Sequence, residues 1–156
     1  MDENKHIFRR AIVDDLPVIV EMLLDDDLGL TREDLTNGIG SYQSAFTEIE
    51  SDPNNQILVA VQKNRVIGVL QLTFIRCLTF QGGRRAQIEG VRTHRDFRGV
   101  GVGKALIEYA IQLSREKGCH LVQLTSNQKR TRAIDFYKKL GFSPTHIGFK
   151  IDIRNQ

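Results

Sequence analysis

The chain has 156 residues, of which 40% are hydrophobic, so it has the size of one domain and enough apolar residues for a single core. Its apolar runs stay well below the ~20 residues that cross a bilayer, and its N-terminus MDENKHIFRR lacks the apolar segment of a signal peptide. The net charge of +3 is uneven, because residues 1–91 hold 9 Lys/Arg against 14 Asp/Glu, whereas residues 92–156 hold 13 against 5.

These properties narrow the classes of function. The basic C-terminal part is suited to nucleic acid or a phosphorylated cofactor, and the acidic N-terminal part to a cationic partner; a chance difference between solvated faces is the alternative. Cys77 and Cys119 are isolated and share no metal-ligand spacing with the four histidines. We therefore expect one cytoplasmic domain over residues 1–156, with no metal site and no membrane association.

The N-terminal part of the sequence predicts a strand and two helices. HIFRRAI is typical of a short strand, and Asp14 or Asp15 is suited to cap a helix that carries Pro17 in its first turn. The apolar face of this helix consists of Ile19, Val20, Leu23 and Leu24. Polar residues 25–41 indicate a loop or a broken helix, and SYQSAFTEIES then predicts the second helix.

The central part of the sequence predicts strands. QILVAVQ and RVIGVLQLTFI are rich in β-branched residues and are separated by Lys63 and Asn64, which indicates an antiparallel hairpin. RRAQIEGVRT predicts the next strand. Gly90 inside that strand indicates a bulge or the close approach of another backbone.

The C-terminal part of the sequence alternates helices and strands. Residues 103–117 have helical periodicity and end at Gly118, HLVQLTS predicts a strand, and RTRAIDFYKKL predicts an amphipathic helix ended by Gly141. The last segment, SPTHIGFKIDI, predicts at least one more strand. This order of elements predicts an α/β fold with a mixed sheet and helices on both faces.

The stretch FRGVGVGKALI, residues 97–107, lies where a predicted strand leads into a helix. The first N–H groups of a helix are unpaired and its dipole favours anions, so this junction is suited to phosphate. Glycines let the backbone approach the phosphates, and Arg98 can add a charge-assisted hydrogen bond. The stretch does not match a P-loop, because Ala105 follows Lys104, nor a dinucleotide fingerprint, because Lys104 stands where that pattern requires glycine.

This stretch resembles the pyrophosphate-binding loop of the Gcn5-related N-acetyltransferase (GNAT) superfamily, which has the pattern Gln/Arg-x-x-Gly-x-Gly/Ala. Arg98, Gly101 and Gly103 fill its required positions, and AIDFYKKLGF at residues 133–142 resembles the second hallmark of the superfamily. The resemblance implies the GNAT fold, a central mixed and mostly antiparallel twisted sheet with a splayed strand pair. It also implies acetyl-CoA as cosubstrate, and it leaves a homodimer open because members are often dimers.

The resemblance assigns residues to the cosubstrate. The loop that wraps the diphosphate consists of Arg98, Gly99, Val100, Gly101, Val102, Gly103 and Lys104. The strand end at Val91 and Arg92 pairs with the pantetheine arm, and the Val91 N–H meets the oxyanion. Many members carry Asn three residues before the Ala of the second hallmark, where this chain has Arg130. Either Asn127 replaces that Asn, or Arg130 reaches the 3′-phosphate.

Glu89 is the candidate general base. An amine arrives largely as an ammonium ion, so a base must remove a proton before the amine attacks the thioester. Glu89 is the only acid among residues 53–95 and precedes the predicted bulge at Gly90. A buried structural Glu89, paired with Arg76 or Arg85, is the alternative.

Tyr137 stands at the position of the superfamily's general acid, so the resemblance implies that it protonates the departing thiolate. Helical periodicity alone favours a core aromatic residue beside Phe136. The acceptor site is implied to involve the first helices, where Asp26, Asp27 and Tyr42 are candidates, with an exposed acidic helix end as the alternative for the two acids. THIGFK resembles members that acetylate small amines, which makes His146 another candidate; an ordinary strand histidine is the alternative.

The sequence therefore predicts an acetyl-CoA-dependent N-acetyltransferase that acts on a primary amine of a small molecule, by direct attack in a ternary complex. Two alternatives remain, an acetyltransferase for a protein N-terminus or lysine and a non-catalytic acyl-CoA-binding regulator. No nucleic-acid partner is expected, because no aromatic residues interleave with the basic stretch NQKRTR.

Overall fold

The computed structural model describes residues 6–26, 32–36 and 38–154 of the chain. Its strands are β1 (Ile7–Arg10), β2 (Asn55–Gln62), β3 (Arg65–Arg76), β4 (Arg84–Thr93) and β5 (Leu121–Leu124). Its helices are α1 (Leu16–Leu24), α2 (Gly40–Ser51), the short α3 (Thr79–Gly82), α4 (Val102–Glu116) and α5 (Thr131–Lys139). The helices and strands predicted up to residue 140 are confirmed, whereas α3 was not predicted from the sequence.

The five strands form one mixed sheet in the order β1-β2-β3-β4-β5. Neighbouring strands from β1 to β4 are antiparallel, and β4 and β5 are parallel. The predicted hairpin joins β2 and β3 through Lys63 and Asn64, whose φ angles of 46° and 62° match the right-handed twist of the two strands. The predicted mixed sheet is therefore confirmed, and β1 and β5 are its edges.

Helices cover both faces of the sheet, because alternate side chains of β2 and β3 point to opposite sides. On one face, strand side chains pack against α1 and α2; they are Val59, Val61, Val66 and Val69. On the other face, strand side chains pack with buried residues of α4; this group includes Leu58, Ala60, Leu70, Leu72, Leu106 and Ile107. None of the described helices is both long enough and apolar enough to span a bilayer.

The link between β1 and α1 contains a buried carboxylate. Asp15 accepts two hydrogen bonds from the Arg9 guanidinium, at 2.6 and 3.0 Å, and a third from the Ile12 N–H at 2.8 Å. Burial alone would raise the pKa of Asp15, but these hydrogen bonds and the charge of Arg9 outweigh it, so the pKa lies below its ordinary value. Asp15 directly precedes α1, yet its carboxylate makes no capping hydrogen bond to that helix.

The predicted C-terminal strand is wrong for the single chain. Residues 143–153 have no regular secondary structure, and the apolar side chains at 147, 149, 151 and 153 are 74–91% exposed. Among the described residues, those from 146 to 153 make no backbone hydrogen bond to another segment. A strand forms only where a neighbouring strand pairs with its N–H and C=O groups, and alternation of apolar residues does not supply that neighbour.

Candidate active site

Strands β4 and β5 separate halfway along β4, at a point that we call the fork. Their pairing joins Arg85–Ile88 of β4 to Leu121–Leu124 of β5, after which β4 continues to Thr93 without β5 beside it. Near the fork, Nε2 of Gln123 donates a hydrogen bond to Oε1 of Gln87 at 2.7 Å. The structure thus contains the splayed strand pair that the resemblance implied.

A bulge in β4 lies directly beyond the fork. The register with β3 places two residues of β4, Gly90 and Val91, opposite the single residue Leu70. Gly90 has a φ of 62°, a conformation that glycine adopts without the steric cost of a Cβ atom. The bulge predicted from Gly90 is confirmed, and it marks where β4 changes direction at the open side of the fork.

Glu89 directly precedes the bulge, where it lies opposite Gln71 of β3 and is exposed. The alternative of a buried structural role does not hold in the described part of the chain. Arg76 donates to the Gly82 carbonyl at 2.8 Å, and Arg85 forms no ion pair with Glu89. The carboxylate of Glu89 is therefore accessible at the fork.

The loop of residues 98–103, which we call the glycine loop, has the backbone of an anion site. Gly99 and Gly101 have φ angles of 78° and 94°, and Gly101 directly precedes α4. The Ala105 N–H donates to the Gly101 carbonyl at 3.0 Å, so the N–H groups before it in the first turn have no intrahelical partner. Such unpaired N–H groups at a helix start are suited to bind a diphosphate.

Side chains around the glycine loop differ in exposure. Val100 is exposed, whereas Val102 is buried against the sheet. Gly103 lies close to Thr93 of β4. Lys104 is exposed, and its Nζ lies 3.8 Å from Oε1 of Glu108, one turn further along α4. The loop therefore offers a cation and backbone donors to solvent, while Val102 anchors the start of α4.

Arg98 ties the glycine loop to the end of α1. Its Nη2 donates to the backbone carbonyl and to Oδ2 of Asp25, at 2.9 and 2.8 Å, and its Nε donates to the Thr93 carbonyl at 3.2 Å. Nε of Arg95 also lies 3.4 Å from Oδ2 of Asp25. The contacts of Arg98 and Arg95 with Asp25 join segments that are more than 60 residues apart in the sequence.

A second carboxylate forms what we call the Asp26 cluster, which consists of Asp26, Arg92 and Arg130. Nη2 of Arg92 donates to Oδ2 of Asp26 at 3.0 Å, and Nη2 of Arg130 lies 3.6 Å from Oδ1. The side chains of Arg92 and Asp26 are only 13% and 15% exposed. Burial lowers the pKa of Arg92; Asp26 opposes this shift, and the charge of Arg130 adds to it.

Tyr137 lies on α5 next to this cluster. Its half-buried ring contacts those of Phe136 and Phe142, with centroids 5.3 and 6.0 Å away. Burial raises the pKa of Tyr137, while the charges of Arg130 and Arg92 oppose the shift, so the phenol keeps its proton at neutral pH. The ring thus has the packing that periodicity favoured, and its hydroxyl forms no hydrogen bond with a described residue.

The loop between β5 and α5 lies at the same end of the sheet as the glycine loop, because β4 and β5 are parallel. Oδ1 of Asn127 accepts a hydrogen bond from the Lys129 N–H at 2.9 Å, so this side chain closes a turn. Ser126 was not singled out from the sequence, although its position shortly after the end of β5 could have indicated a place in the site. Its Oγ is buried and has no hydrogen-bond partner among the residues that the structure describes, and the same is true of Nε of Arg92.

The residues predicted to bind the acceptor do not all contact one another in the structure. Asp26 lies in the Asp26 cluster, and Asp27 lies outside the described residues. The Tyr42 hydroxyl donates to Oε2 of Glu33 at 2.7 Å, and exposed His146 has Nδ1 2.7 Å from Oγ1 of Thr145. Their binding of an acceptor stays a prediction. The described residues contain no group of three His, Cys, Asp or Glu side chains placed to hold a metal ion.

Comparison with known proteins identifies relatives of this chain. A solved structure described as a transcriptional regulator from Bacillus halodurans C-125 superposes with a TM-score of 0.92 at 45% identity, covering 96% of this chain and 100% of that one. Glucosamine 6-phosphate N-acetyltransferase of Trypanosoma brucei brucei is 36% identical over 89 residues, 57% of this chain and 58% of that protein. Aminoalkylphosphonate N-acetyltransferase of Salmonella typhimurium is 25% identical over 70% of both chains.

The match to the trypanosome enzyme is partial, because the chain spans less than two thirds of that protein's length. The match to the family is broader, since the sequence pattern of the Acetyltransferase (GNAT) family covers residues 22–142. That range contains the fork, the glycine loop, the Asp26 cluster and Tyr137. This chain belongs to the GNAT acetyltransferase family.

Proposed function

We propose that the protein transfers the acetyl group of acetyl-CoA to the primary amine of a small molecule, by direct attack within a ternary complex. The observation that carries this proposal is that three groups suited to acetyl transfer lie together at the fork. An accessible carboxylate, a glycine loop with unpaired N–H groups and a protonated phenol all lie at the end of the sheet where β4 and β5 separate. Open ends of this kind, beyond the carboxyl ends of parallel strands, are common ligand sites.

Residues of the chain fit the cosubstrate. Acetyl-CoA supplies an activated acyl group as a thioester. The N–H groups before Ala105 are suited to its diphosphate, and Arg98 lies at the start of the same loop. No described strand pairs with the β5 side of β4 beyond the fork, so its backbone can pair with the amides of the pantetheine arm. Ser126 Oγ, which is buried and has no hydrogen-bond partner among the described residues, is a further donor for the cosubstrate.

Glu89 is proposed to take the proton from the ammonium form of the acceptor. Its carboxylate is exposed and precedes the bulge, so a proton reaches it directly or through one water molecule. The resulting neutral amine carries the lone pair that attacks the acyl carbon.

Tyr137 is proposed to protonate the departing thiolate. Its raised pKa keeps the proton on the phenol until it is needed. When the proton leaves, the charges of Arg130 and Arg92 stabilise the tyrosinate, and these are the charges that already oppose the rise in pKa. The two arginines of the Asp26 cluster thus make it easier for Tyr137 to give up its proton.

The acceptor is proposed to carry an anionic group. Two arginines share one carboxylate in the Asp26 cluster, which leaves a net positive charge, and Nε of buried Arg92 has no hydrogen-bond partner in the described part of the chain. A phosphate or phosphonate can accept several hydrogen bonds from such a pair. Two of the relatives are named for amines that carry a phosphate or a phosphonate. Asp26 is thereby a counter-ion of the arginines rather than a partner of the amine.

The test is a thiol-release assay with acetyl-CoA and matched acceptors: an amino sugar with and without its phosphate, an aminoalkylphosphonate beside the amino alcohol, and lysine peptides. We expect turnover on the anionic small amines, with kcat/KM at least about 10-fold above their neutral partners, the worth of one charged hydrogen bond. Turnover on peptides alone would contradict the small-molecule acceptor.

Variants test the roles of the two catalytic residues. Glu89→Gln and Tyr137→Phe are each expected to lower kcat by about 10²–10⁴-fold and to leave acetyl-CoA affinity, measured by calorimetry, unchanged. Matched controls are Glu48→Gln, on the exposed surface of α2, and Tyr109→Phe, whose ring stacks on Phe8 away from the fork. Equal kcat in a variant and its control would remove that assignment.

A regulator without turnover is the second candidate, because the Bacillus halodurans structure at 45% identity is described as a transcriptional regulator. Acetyl-CoA binding without turnover on any amine, together with salt-sensitive retention on DNA, would favour it.

A further inference from the structure

A cleft of about 370 Å³ lies between the sheet and the C-terminal half of α4, and we call it the α4 cleft. Ligand pockets in proteins commonly measure about 300–1,000 Å³. Its apolar lining includes Leu58, Phe74 and Leu113, and its polar lining includes Arg10, Gln56 and Lys117. We propose that the α4 cleft is a ligand site separate from the fork, and that it binds a small carboxylate with an apolar body.

The α4 cleft lies at the end of the sheet opposite to the glycine loop. Phe74 pairs with Ala86 near the start of β4, whereas the glycine loop follows the end of β4 at Thr93. Helix α4 begins at the glycine loop, and its 15 residues extend for about 22 Å toward the cleft. A small molecule in the cleft is too far away to contact a diphosphate at the glycine loop, so the two sites are separate.

The side chain of Gln56 is polar and buried in the wall of the cleft. Gln56 is only 7% exposed, because it lies on the same face of β2 as Leu58, which packs with α4. Its side-chain amide forms no hydrogen bond with a described residue. Buried amides normally have partners, because an unmade hydrogen bond costs free energy. A group bound in the cleft can supply the partner that this amide lacks.

Arg10 provides a cation next to this amide. It lies opposite Leu58 in the antiparallel pair of β1 and β2, so its side chain shares a face with that of Gln56, two residues from Leu58. Such diagonal neighbours are about 7–8 Å apart, which is within reach of long side chains. The Arg10 guanidinium forms no ion pair with a described residue. Arg10 and Gln56 are therefore placed to hold the two oxygens of one carboxylate.

Lys117 adds a second cation to the cleft. Its Nζ lies over the ring of Phe74, 5.7 Å from the centroid. The last carbonyls of a helix repel an anion, but the carbonyl of Lys117 accepts a hydrogen bond from Nη1 of Arg84 at 3.0 Å. Glu116 also lines the cleft, but it is exposed and its Oε1 accepts a hydrogen bond from Nε2 of Gln112 at 3.0 Å. Two cations and one acid in the described lining favour an anionic ligand.

The apolar lining indicates the rest of the ligand. Leu58 and Phe74 are almost completely buried in the sheet, and Leu113 and Tyr109 face them from α4. The ring of Tyr109 stacks on that of Phe8, with centroids 5.1 Å apart, which holds it in place. Inorganic phosphate would leave this surface in contact with water, whereas an aromatic or branched aliphatic body covers it. The cleft is therefore better suited to an apolar carboxylate than to inorganic phosphate.

The test is a titration of the whole wild-type chain with 3-phenylpropanoate and with hexanoate, followed by NMR. We expect saturable shifts of the Gln56 side-chain amide and of the Leu58 and Leu113 methyl groups, with a Kd of about 1 mM or tighter. The Gly101 amide of the glycine loop should not shift. Neutral 3-phenylpropanol is the matched probe and is expected to bind about 10-fold more weakly than 3-phenylpropanoate, because it has no charge for Arg10.

Three results of this titration would overturn the proposal. They are the absence of a saturable shift with either carboxylate at about 10 mM, equal binding of the alcohol, and shifts centred on Gly101. The third result would place the carboxylate at the glycine loop. None of these measurements requires a variant to fold.

An arginine variant tests the contact with the carboxylate. Arg10→Gln removes the cation beside Gln56 and is expected to weaken the binding of 3-phenylpropanoate by about 10-fold. Arg115→Gln is the matched control, because it removes the same charge from an exposed position of α4 outside the cleft, and it should leave the affinity unchanged. Equal affinities of the two variants would contradict the contact with Arg10.

A glutamine variant tests the buried amide. Gln56→Leu replaces the amide with an apolar side chain of similar size. We expect the thermal midpoint to stay the same or rise, because no hydrogen bond with a described residue is lost, while 3-phenylpropanoate binds several-fold more weakly. A lower midpoint with unchanged affinity would show that Gln56 has a structural role and would contradict the proposed site.

Discussion

Two arginine–aspartate groups, one at each end of α1, have similar chemistry but differ in how fully their polar atoms are paired. At the start of α1, Asp15 accepts three hydrogen bonds, two of them from Arg9. At the fork, Asp26 is shared by Arg92 and Arg130 at 3.0 and 3.6 Å, and Nε of Arg92 is buried with no hydrogen-bond partner among the described residues. Within the described residues, the carboxylate of the first group has its full set of partners, whereas Nε of Arg92 in the second group has none.

This difference separates a structural ion pair from a prepared binding site. Buried polar groups normally have partners, because each missing hydrogen bond costs free energy. A protein that leaves a buried donor unpaired beside a second cation therefore destabilises its unliganded state, and a bound anion can recover that free energy. We expect the Asp15 pair to control the free energy of unfolding and the Asp26 cluster to control binding.

Within this comparison of the two groups, the largest expected effect comes from Arg92→Ala. If the cluster binds the anionic group of the acceptor, kcat/KM for that acceptor falls on the order of 100-fold, equivalent to about 3 kcal/mol, while the thermal midpoint changes little. Steady-state kinetics and thermal unfolding measure the two quantities. Arg9→Ala is the matched arginine and is expected to do the opposite, lowering the midpoint with kcat/KM unchanged. The same response from both variants would remove the distinction.

The next largest effect concerns Asp15→Ala. Removing a buried carboxylate that accepts three hydrogen bonds leaves the Ile12 N–H and the Arg9 guanidinium without their partner. We expect the free energy of unfolding, from urea denaturation, to fall by about 2 kcal/mol. Asp14→Ala is the control, since Asp14 is the exposed neighbour and should change stability by less than about 0.5 kcal/mol.

A smaller effect is expected when the aspartate of the Asp26 cluster is changed instead of an arginine. Asp26→Asn removes the carboxylate that neutralises Arg92 and Arg130, so both guanidinium groups become free for an anion. Inorganic phosphate, measured by calorimetry, is expected to bind several-fold more tightly, equivalent to about 1 kcal/mol. Glu48→Gln removes one negative charge from the exposed surface of α2 and should leave the affinity unchanged. Equal tightening in the control would indicate a general effect of net charge.

The smallest effect is in the pH dependence of stability. The folded-state pKa of Asp15 lies below its ordinary value of 3.8, so the ionised pair stabilises the protein at neutral pH. That contribution is lost as the pH falls from about 4 toward the lowered pKa, because protonation of Asp15 then breaks its ion pair with Arg9. The stability difference between the wild type and Asp15→Asn should therefore shrink between about pH 5 and pH 2. A difference that stays constant over this range would contradict the lowered pKa.

Features that depend on local backbone preference were predictable from the sequence. Lys63 and Asn64 indicated the hairpin, and Gly90 indicated the bulge; both follow from the φ angles that these residues tolerate at a turn or a break in pairing. The glycine loop was likewise evident from its spacing, and it carried the resemblance to the family. In each case a few neighbouring residues contain the necessary information.

Only the tertiary structure decided which distant groups meet. Asp26 lies 66 residues from Arg92 along the chain, so its role as a counter-ion appears only when α1 ends beside β4. Residues 146–153 show the same limit, because their alternation predicts a strand, whereas pairing depends on a neighbouring strand, and no described segment of the chain pairs with them. Local sequence sets the conformations that a segment prefers, and the packed fold sets which charges and edges are left without partners.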